Sequence, residues 1–354
     1  MKLFFLQQFI YGLFLPLHFL FAASGEGSFH YVSAHKKFSI QKESGVKIIK
    51  MGSQCFYQRA IKPFPHCKFI KNSFQKIIVD SVITFRIFEK LQLKHLVVGV
   101  NGLQYLSTKE NKLELSSKSS LELLKKFRMD ALFTSSLDTI DVQKIKLLDA
   151  LNVTVIKIPD VEEDNFMDRL EWIIFYASFF DLEERAIELF NAEKERYLKI
   201  KNECRGLGPL LIGSINFGKW SSLQEKSPLR SLFRDAGAQL ICAKEKTSFT
   251  SFSLESIYIE FKNQRVSQKL LAENVLWFPL TKWKIRENIQ EKVYYEKLGI
   301  PFDHIQILNT GKRNDKNSDS FWENGILNPS ELLQELCSLK NLEQKRELKW
   351  FHLL

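Results

Sequence analysis

The chain has 354 residues, 45% apolar and 26% charged, which suits a soluble globular protein of one large domain or two ordinary ones with a real core. Its formal charge is +10, from 51 Lys and Arg against 41 Asp and Glu. Basicity of this size suits nucleic acid, a membrane surface or an anionic ligand, but the lysines are scattered among acidic residues, with no Arg-rich run and no nucleic-acid motif. The charge is read as a solvated surface, with an anionic ligand as the minor alternative and no nucleic-acid partner expected.

Residues 1–24 carry one charge, Lys2, followed by an apolar stretch from Leu3 to Phe21 that Ala22, Ala23, Ser24 and Gly25 close. This is the layout of a secretory signal peptide cleaved near Ser24. Gln7, Gln8, Pro16 and His18 interrupt the run and disfavour the competing reading, a retained membrane anchor. No cysteine follows it, so no bacterial lipid anchor is expected, and the chain is placed in the periplasm or beyond. Residues 25–73 read as an N-terminal β region: Phe38, Ile40, Val46, Ile48 and Ile49 flank a turn at Glu43-Ser44-Gly45, and Pro63 and Pro65 end it. None of the five cysteines lies in a CxxC or at metal-ligand spacing with histidine. Cys55 and Cys67 either pair across a short loop or stand free.

From residue 74 to 160 short apolar strands alternate with helices. Strands are predicted at Ile77-Ile78-Val79, Leu96 to Val100, Ala131-Leu132-Phe133 and Val153 to Ile158. Helices are predicted over Thr84 to Leu91, from a Ser119 or Ser120 cap through Phe127, and from an Asp138 cap to Leu151. Such alternation implies a parallel, doubly covered sheet.

Residues 161–206 form a helical spine in two segments. Phe166, Leu170, Ile173, Ala177 and Phe180 recur at helical spacing behind an Asp164 or Asn165 cap. Asp181 then restarts the pattern, with Glu184 three residues on as in a capping box, and Gly206, Gly208 and Pro209 stop it. Residues 207–343 repeat the alternating plan. Strands are expected at Leu210-Leu211-Ile212, Gln239-Leu240-Ile241, Val275 to Phe278 and Ile305 to Leu308. Helices are expected over Ser227 to Ala236, from a Ser253 cap through Phe261, up to Leu298, and from Pro329. Gly311 to Ser320 reads as a polar loop and residues 344–354 as a basic tail. The fold class is therefore α/β, two Rossmann-like lobes joined by one long helix, plus the short β region.

No GxGxxG, Walker loop, HExxH or GxSxG occurs, and the seven histidines are scattered. No catalytic residue, resident cofactor or metal site is assigned, and the chain is read as a non-enzyme. Ligands bind by default in the cleft between lobes, outside the strand ends. Those positions are Thr84, Phe85, Asn101, Tyr105, Ser135 and Ser136 in the first half, and Phe217, Lys219, Trp220, Trp277 and Trp283 in the second. For each the plainer role is core packing or loop surface; only Trp220 is favoured as functional.

An ordered set of passages goes further. Phe217-Gly218-Lys219-Trp220, then Ser227, Leu232 and Asp235-Ala236-Gly237-Ala238, then Ser253-Leu254-Glu255-Ser256-Ile257-Tyr258, is followed by Asn309, Phe321-Trp322-Glu323-Asn324-Gly325 and Asn328-Pro329-Ser330-Glu331-Leu332-Leu333. With Leu91 to Val100, this set resembles the ABC-transporter periplasmic substrate-binding proteins of the iron–siderophore and cobalamin type over residues 74–343. The chain departs from them at Ser221 to Glu225, where their loop is glycine-rich, and at Asn324, where arginine is common.

The resemblance implies a monomer that captures a small-molecule metal chelate (ferric siderophore, haem or cobalamin) between two lobes and delivers it to an ABC permease in the inner membrane. It also gives roles to a Ser-Leu-Glu echo. Glu122 and Glu255 match the family's permease-docking glutamates, although helix capping alone accounts for both. Aromatic residues are expected to stack on the ligand and Lys219 to pair with an anionic chelate. An exported two-domain enzyme, a glycosyl transferase or hydrolase, and a binding protein turned sensor are the competing readings.

Overall fold

The computed structural model describes residues 28–59, 64–70, 74–241, 251–263, 265, 275–279, 289–300, 306–310, 320–339 and 348–353. The signal-peptide reading of residues 1–24, Trp283 and all of the polar loop read over Gly311 to Ser320 except Ser320, which opens a short helix, lie outside them.

Period-two burial from Phe29 onward lays down one sheet, β1 (Phe29–Val32), β2 (Phe38–Glu43), β3 (Val46–Met51), β4 (Gln54–Gln58) and β5 (Lys68–Phe69), paired in chain order. Glu43 pairs with Val46 across the expected turn, where Ser44 and Gly45 both take positive φ, as a two-residue hairpin requires. Cys55 and Cys67 form a disulfide that ties β4 to the start of β5.

The first lobe follows as β6 (Ile77–Val79), α1 (Val82–Lys90), β7 (Val97–Val100), β8 (Leu113–Glu114), α2 (Leu121–Lys126), β9 (Ala131–Ser135), α3 (Val142–Ala150) and β10 (Thr154–Ile158). Its strands are all parallel, in the order β10-β9-β6-β7-β8. Ser120 caps α2 as expected. The α3 cap is Asp141 and not Asp138, whose carboxylate instead accepts from the Thr134 hydroxyl and the Ser135 amide.

The spine is α4 (Phe166–Ser178), capped by Asn165, and α5 (Glu183–Glu203). From Trp172 onward α4 is apolar on every side and must be enclosed; it is wedged between two sheets. Trp172, Phe175 and Phe179 meet Phe38 and Phe56 of the N-terminal sheet, while Tyr176 meets Phe88 and Phe133 of the lobe. At 21 residues α5 is about 30 Å long. Its predicted capping box does not form. Asp181 takes a positive φ, Leu182 occupies the cap without a side-chain bond, and Asp181 pairs with Lys47 and Arg59. Lys47, buried on β3, also donates to the Ser178 carbonyl at 2.7 Å and lies 2.7 Å from buried Glu183. One lysine of the N-terminal sheet thus fixes the corner between the spine helices.

The second lobe comprises β11 (Gly208–Ile212), β12 (Ser214–Asn216), β13 (Lys219–Ser221), α6 (Pro228–Asp235), β14 (Ala238–Ile241), β15 (Ser251–Ser253), α7 (Leu254–Asn263), β16 (Leu276–Phe278), α8 (Ile289–Lys297), β17 (Gln306–Thr310), α9 (Ser320–Glu323), α10 (Pro329–Ser338) and β18 (Phe351–Leu353). Its main sheet runs β14-β11-β16-β17-β18, parallel except for β18, and β12-β13-β15 form a small antiparallel sheet. The expected basic tail is therefore partly ordered: Trp350 and Phe351 are buried where β18 extends the sheet. A second disulfide, Cys204–Cys337, joins the end of α5 to the end of α10.

Candidate functional site

Parallel sheets in both lobes present the carboxyl ends of their strands, and the loops after those ends carry the polar groups. In the first lobe β6 runs into Asp80 and Ser81. Ser81 caps α1 by accepting from the Thr84 amide at 3.0 Å, and its hydroxyl is 2.8 Å from that of Thr84. Thr84 in turn lies 3.5 Å from the Tyr176 hydroxyl. Asp160, just past β10, belongs to the same enclosed group; burial pushes its carboxyl above the usual range against the opposing charge of Arg169. Burial raises Asp80 as well, although the Ser117 amide donates to it at 2.8 Å.

After β7 the chain turns through exposed Asn101 and then buried Gly102, whose positive φ suits glycine. The amides of Gly102 and Leu103 donate to the Glu114 carboxylate at 2.7 and 2.8 Å, which holds the turn and leaves Tyr105 55% exposed. β9 ends in half-buried Ser135, half-buried Ser136 follows, and the Ser136 hydroxyl donates to Glu162 at 2.5 Å.

In the second lobe β12 and β13 form a two-residue hairpin with Phe217 and Gly218 at its tip, both at positive φ. Positive φ is a rare conformation for a bulky side chain. Phe217 is also 95% exposed, beside exposed Lys219. Trp220 corrects the expectation: it is wholly enclosed, packed edge-on against Phe261 and Tyr295, and presents no face to a ligand. A Cβ on Gly213 would stand 2.5 Å from the Trp220 indole nitrogen, so the close approach of strand to ring requires glycine there. Trp277 is likewise core, donating to the Gly213 carbonyl at 2.7 Å, and Phe85 is buried on the inner face of α1. Thr84 is buried in its hydrogen-bond chain. The remaining positions, Asn101, Tyr105, Ser135, Ser136, Phe217 and Lys219, stay accessible at strand ends.

Between the lobes lies a crevice of about 540 Å³, within the range of small-ligand sites. Glu162, Glu163 and Asp164 line it from the connection between β10 and α4, and Ser222, Gln224 and Lys226 from the second lobe. Asp164 and Lys226 face each other at 3.9 Å. Ser136 joins this wall through Glu162. The acidic wall was not singled out from the sequence, although the run Asp160-Val161-Glu162-Glu163-Asp164, placed between the last strand of one lobe and the spine, is a signal for it. Among the described residues no three His, Cys, Asp or Glu side chains gather as a metal site.

Glu122 and Glu255 occupy matching places, each exposed in the first turn of its helix behind a serine that accepts from the amide three residues on.

No family model matches the chain. An uncharacterised protein of Methanocaldococcus jannaschii is 25% identical over 179 residues, 42% of this chain and 54% of that protein, so the chain spans about half the length of the curated relative it matches. Among solved structures, a possible iron-binding periplasmic solute-binding protein from Staphylococcus epidermidis has a TM-score of 0.55 at 16% identity, covering 76% of this chain and 99% of its own. The periplasmic haem-binding protein of Vibrio cholerae has a TM-score of 0.55 at 12% identity, covering 75% and 99%. The periplasmic vitamin B12-binding protein of the same organism has 0.50 at 13% identity, covering 77% and 99%. The likeness is one of fold: two α/β lobes with parallel-rich sheets on a helical spine.

Proposed function

We propose that this chain, which shares the two-lobed fold of periplasmic solute-binding proteins, is an extracytoplasmic binding protein that captures a metal chelate between its lobes and hands it to an ABC importer. The observation that carries this reading is the crevice in which residues 161–164 face residues 221–228 of the second lobe, beside a spine too long for an ordinary crossover. Two disulfides agree with an oxidising compartment and with export under residues 1–24 as a signal peptide cleaved near Ser24. The cargo is a ferric siderophore, haem or cobalamin. Phe217 and Tyr105 stack on its planar parts, Ser135, Ser136 and Asn101 supply hydrogen bonds, and Lys219 neutralises an anionic group. No chemistry is done on the ligand. Glu122 and Glu255, one on each lobe, dock onto the permease.

A thermal-shift panel of ferric hydroxamates, ferric catecholates, haem, cobalamin and bare metal ions tests the reading on the chain from Gly25 onward. A ligand at one hundred times its Kd adds about 2.7 kcal/mol and a visible rise in Tm. A saturable rise with one chelate is expected. A folded protein that responds to none overturns it.

A further inference from the structure

The spine is not the only tie between the lobes. Ahead of α10, residues 320–328 bridge the two lobes: Phe321 and Ile326 are buried in the second lobe's core, while Glu323 and Leu327 reach the first. Glu323 is 2% exposed, and the groups around it belong to the first lobe. Arg86 of α1, 6% exposed, donates to it from Nε at 2.8 Å and again from Nη2. The amide and hydroxyl of Ser107 donate at 2.9 and 3.0 Å. The carboxylate thus accepts four bonds, all from the other lobe. The guanidinium is itself held by Glu89 at 2.5 Å and Thr108 at 3.1 Å. Four residues on, Lys90 of the same helix donates to the Leu327 carbonyl at 2.6 Å, and Leu327 joins the first lobe's apolar core. From the spine, Glu193 accepts from the Ser330 amide at 2.8 Å and fixes the start of α10.

We infer that Glu323, seated among Arg86 and Ser107, is a latch that sets how far the two lobes part. A rotation about α5 that widens the crevice has to draw Glu323 away from Arg86. It then strands two buried charges whose attraction is strong because water is excluded. Small displacements that keep the pair intact remain cheap. The lobes therefore have two discrete arrangements, latched and released, with the ion pair as the bistable element. Leu327 adds an apolar contact that parts at the same moment. The inference rests on the capture reading only for what the motion serves, since the latch itself is a property of the ligand-free chain.

The test reads the distance between lobes with no ligand present. Spin labels on the exposed sites Lys126→Cys and Lys262→Cys, in a Cys242→Ser background, report the distance distribution between α2 and α7. The otherwise unaltered chain is expected to give one narrow distance. Glu323→Gln and Arg86→Met should each at least double its width while circular dichroism stays native. An unchanged width in a folded variant overturns the latch. If a variant does not fold, hydrogen exchange on the unaltered chain decides. The Ser107 and Leu327 amides should exchange at least tenfold faster than that of Phe190 in α5, because release is smaller than unfolding. Exchange only at the global rate would make Glu323 a fixed part of the core and end the proposal. Neither outcome bears on the ligand panel, so the two readings fail separately.

Discussion

Phe217 and Trp220 lie three positions apart on one hairpin in opposite surroundings. The first is almost wholly in solvent at a backbone angle that bulky residues avoid, and the second is sealed against Phe261 and Tyr295. An exposed aromatic residue at such an angle adds nothing to the packed core, and the capture proposal gives it a ligand to stack on. Phe217→Ala should therefore leave Tm unchanged and weaken ligand binding about tenfold, the loss of one stacking contact. Trp220→Ala should do the reverse. Truncating a buried tryptophan costs about 3–5 kcal/mol, measurable as a lower urea midpoint. Calorimetric titration of both variants against the ligand found in the panel checks the contrast; loss of affinity in Trp220→Ala at full stability would restore that residue to the ligand.

The corner between α4 and α5 shows what an element owes to distant chain. Burial alone would raise the Asp181 carboxyl, but the hydrogen bond and charge of Lys47, with Arg59 and Lys42, outweigh it and hold the group below the usual range. A carboxyl depressed in the folded state adds stability above its unfolded pKa of about 3.9, and that stability is lost as pH falls through the folded value. Asp181→Asn should thus be less stable than the unaltered chain at neutral pH. The gap should close below about pH 4 in denaturant titrations; a gap independent of pH would detach Asp181 from Lys47. None of this was legible in the local sequence, where Asp181 and Glu184 imitate a capping box. The helix starts that were legible, Ser120, Asn165 and Ser253, depend on atoms within three residues. The Asp141 cap was missed although it is just as local, because Asp138, the other candidate, is held back by Thr134 and Ser135. The β18 strand and the burial of Trp220 were decided by packing against segments far along the chain. The candidate site divided in the same way: strand-end loops located Ser135, Ser136 and Phe217, while Glu162 and Asp164 emerged only when the second lobe closed the crevice over them.

At the scale of the whole molecule, Glu122 and Glu255 sit at equivalent helix starts on separate lobes, so a partner touching both would sense the relative position of the lobes. Glu122→Lys with Glu255→Lys should abolish uptake in cells and leave ligand affinity within twofold; uptake at the normal rate would reduce both to helix caps. The Cys204–Cys337 bridge has a consequence of a different kind. Its partners are 133 residues apart, and every strand of the second lobe's main sheet except β18 lies between them. During synthesis Cys204 precedes its partner by that whole interval, with Cys242 coming first. The earliest bond open to Cys204 is therefore a wrong one, and the native bond closes only after α10 has docked along α5. In refolding of the reduced chain Cys242 competes with Cys337 for Cys204, so a disulfide isomerase is expected to speed the return of the native bond without altering the finished protein; an unchanged rate would show that the competition does not matter.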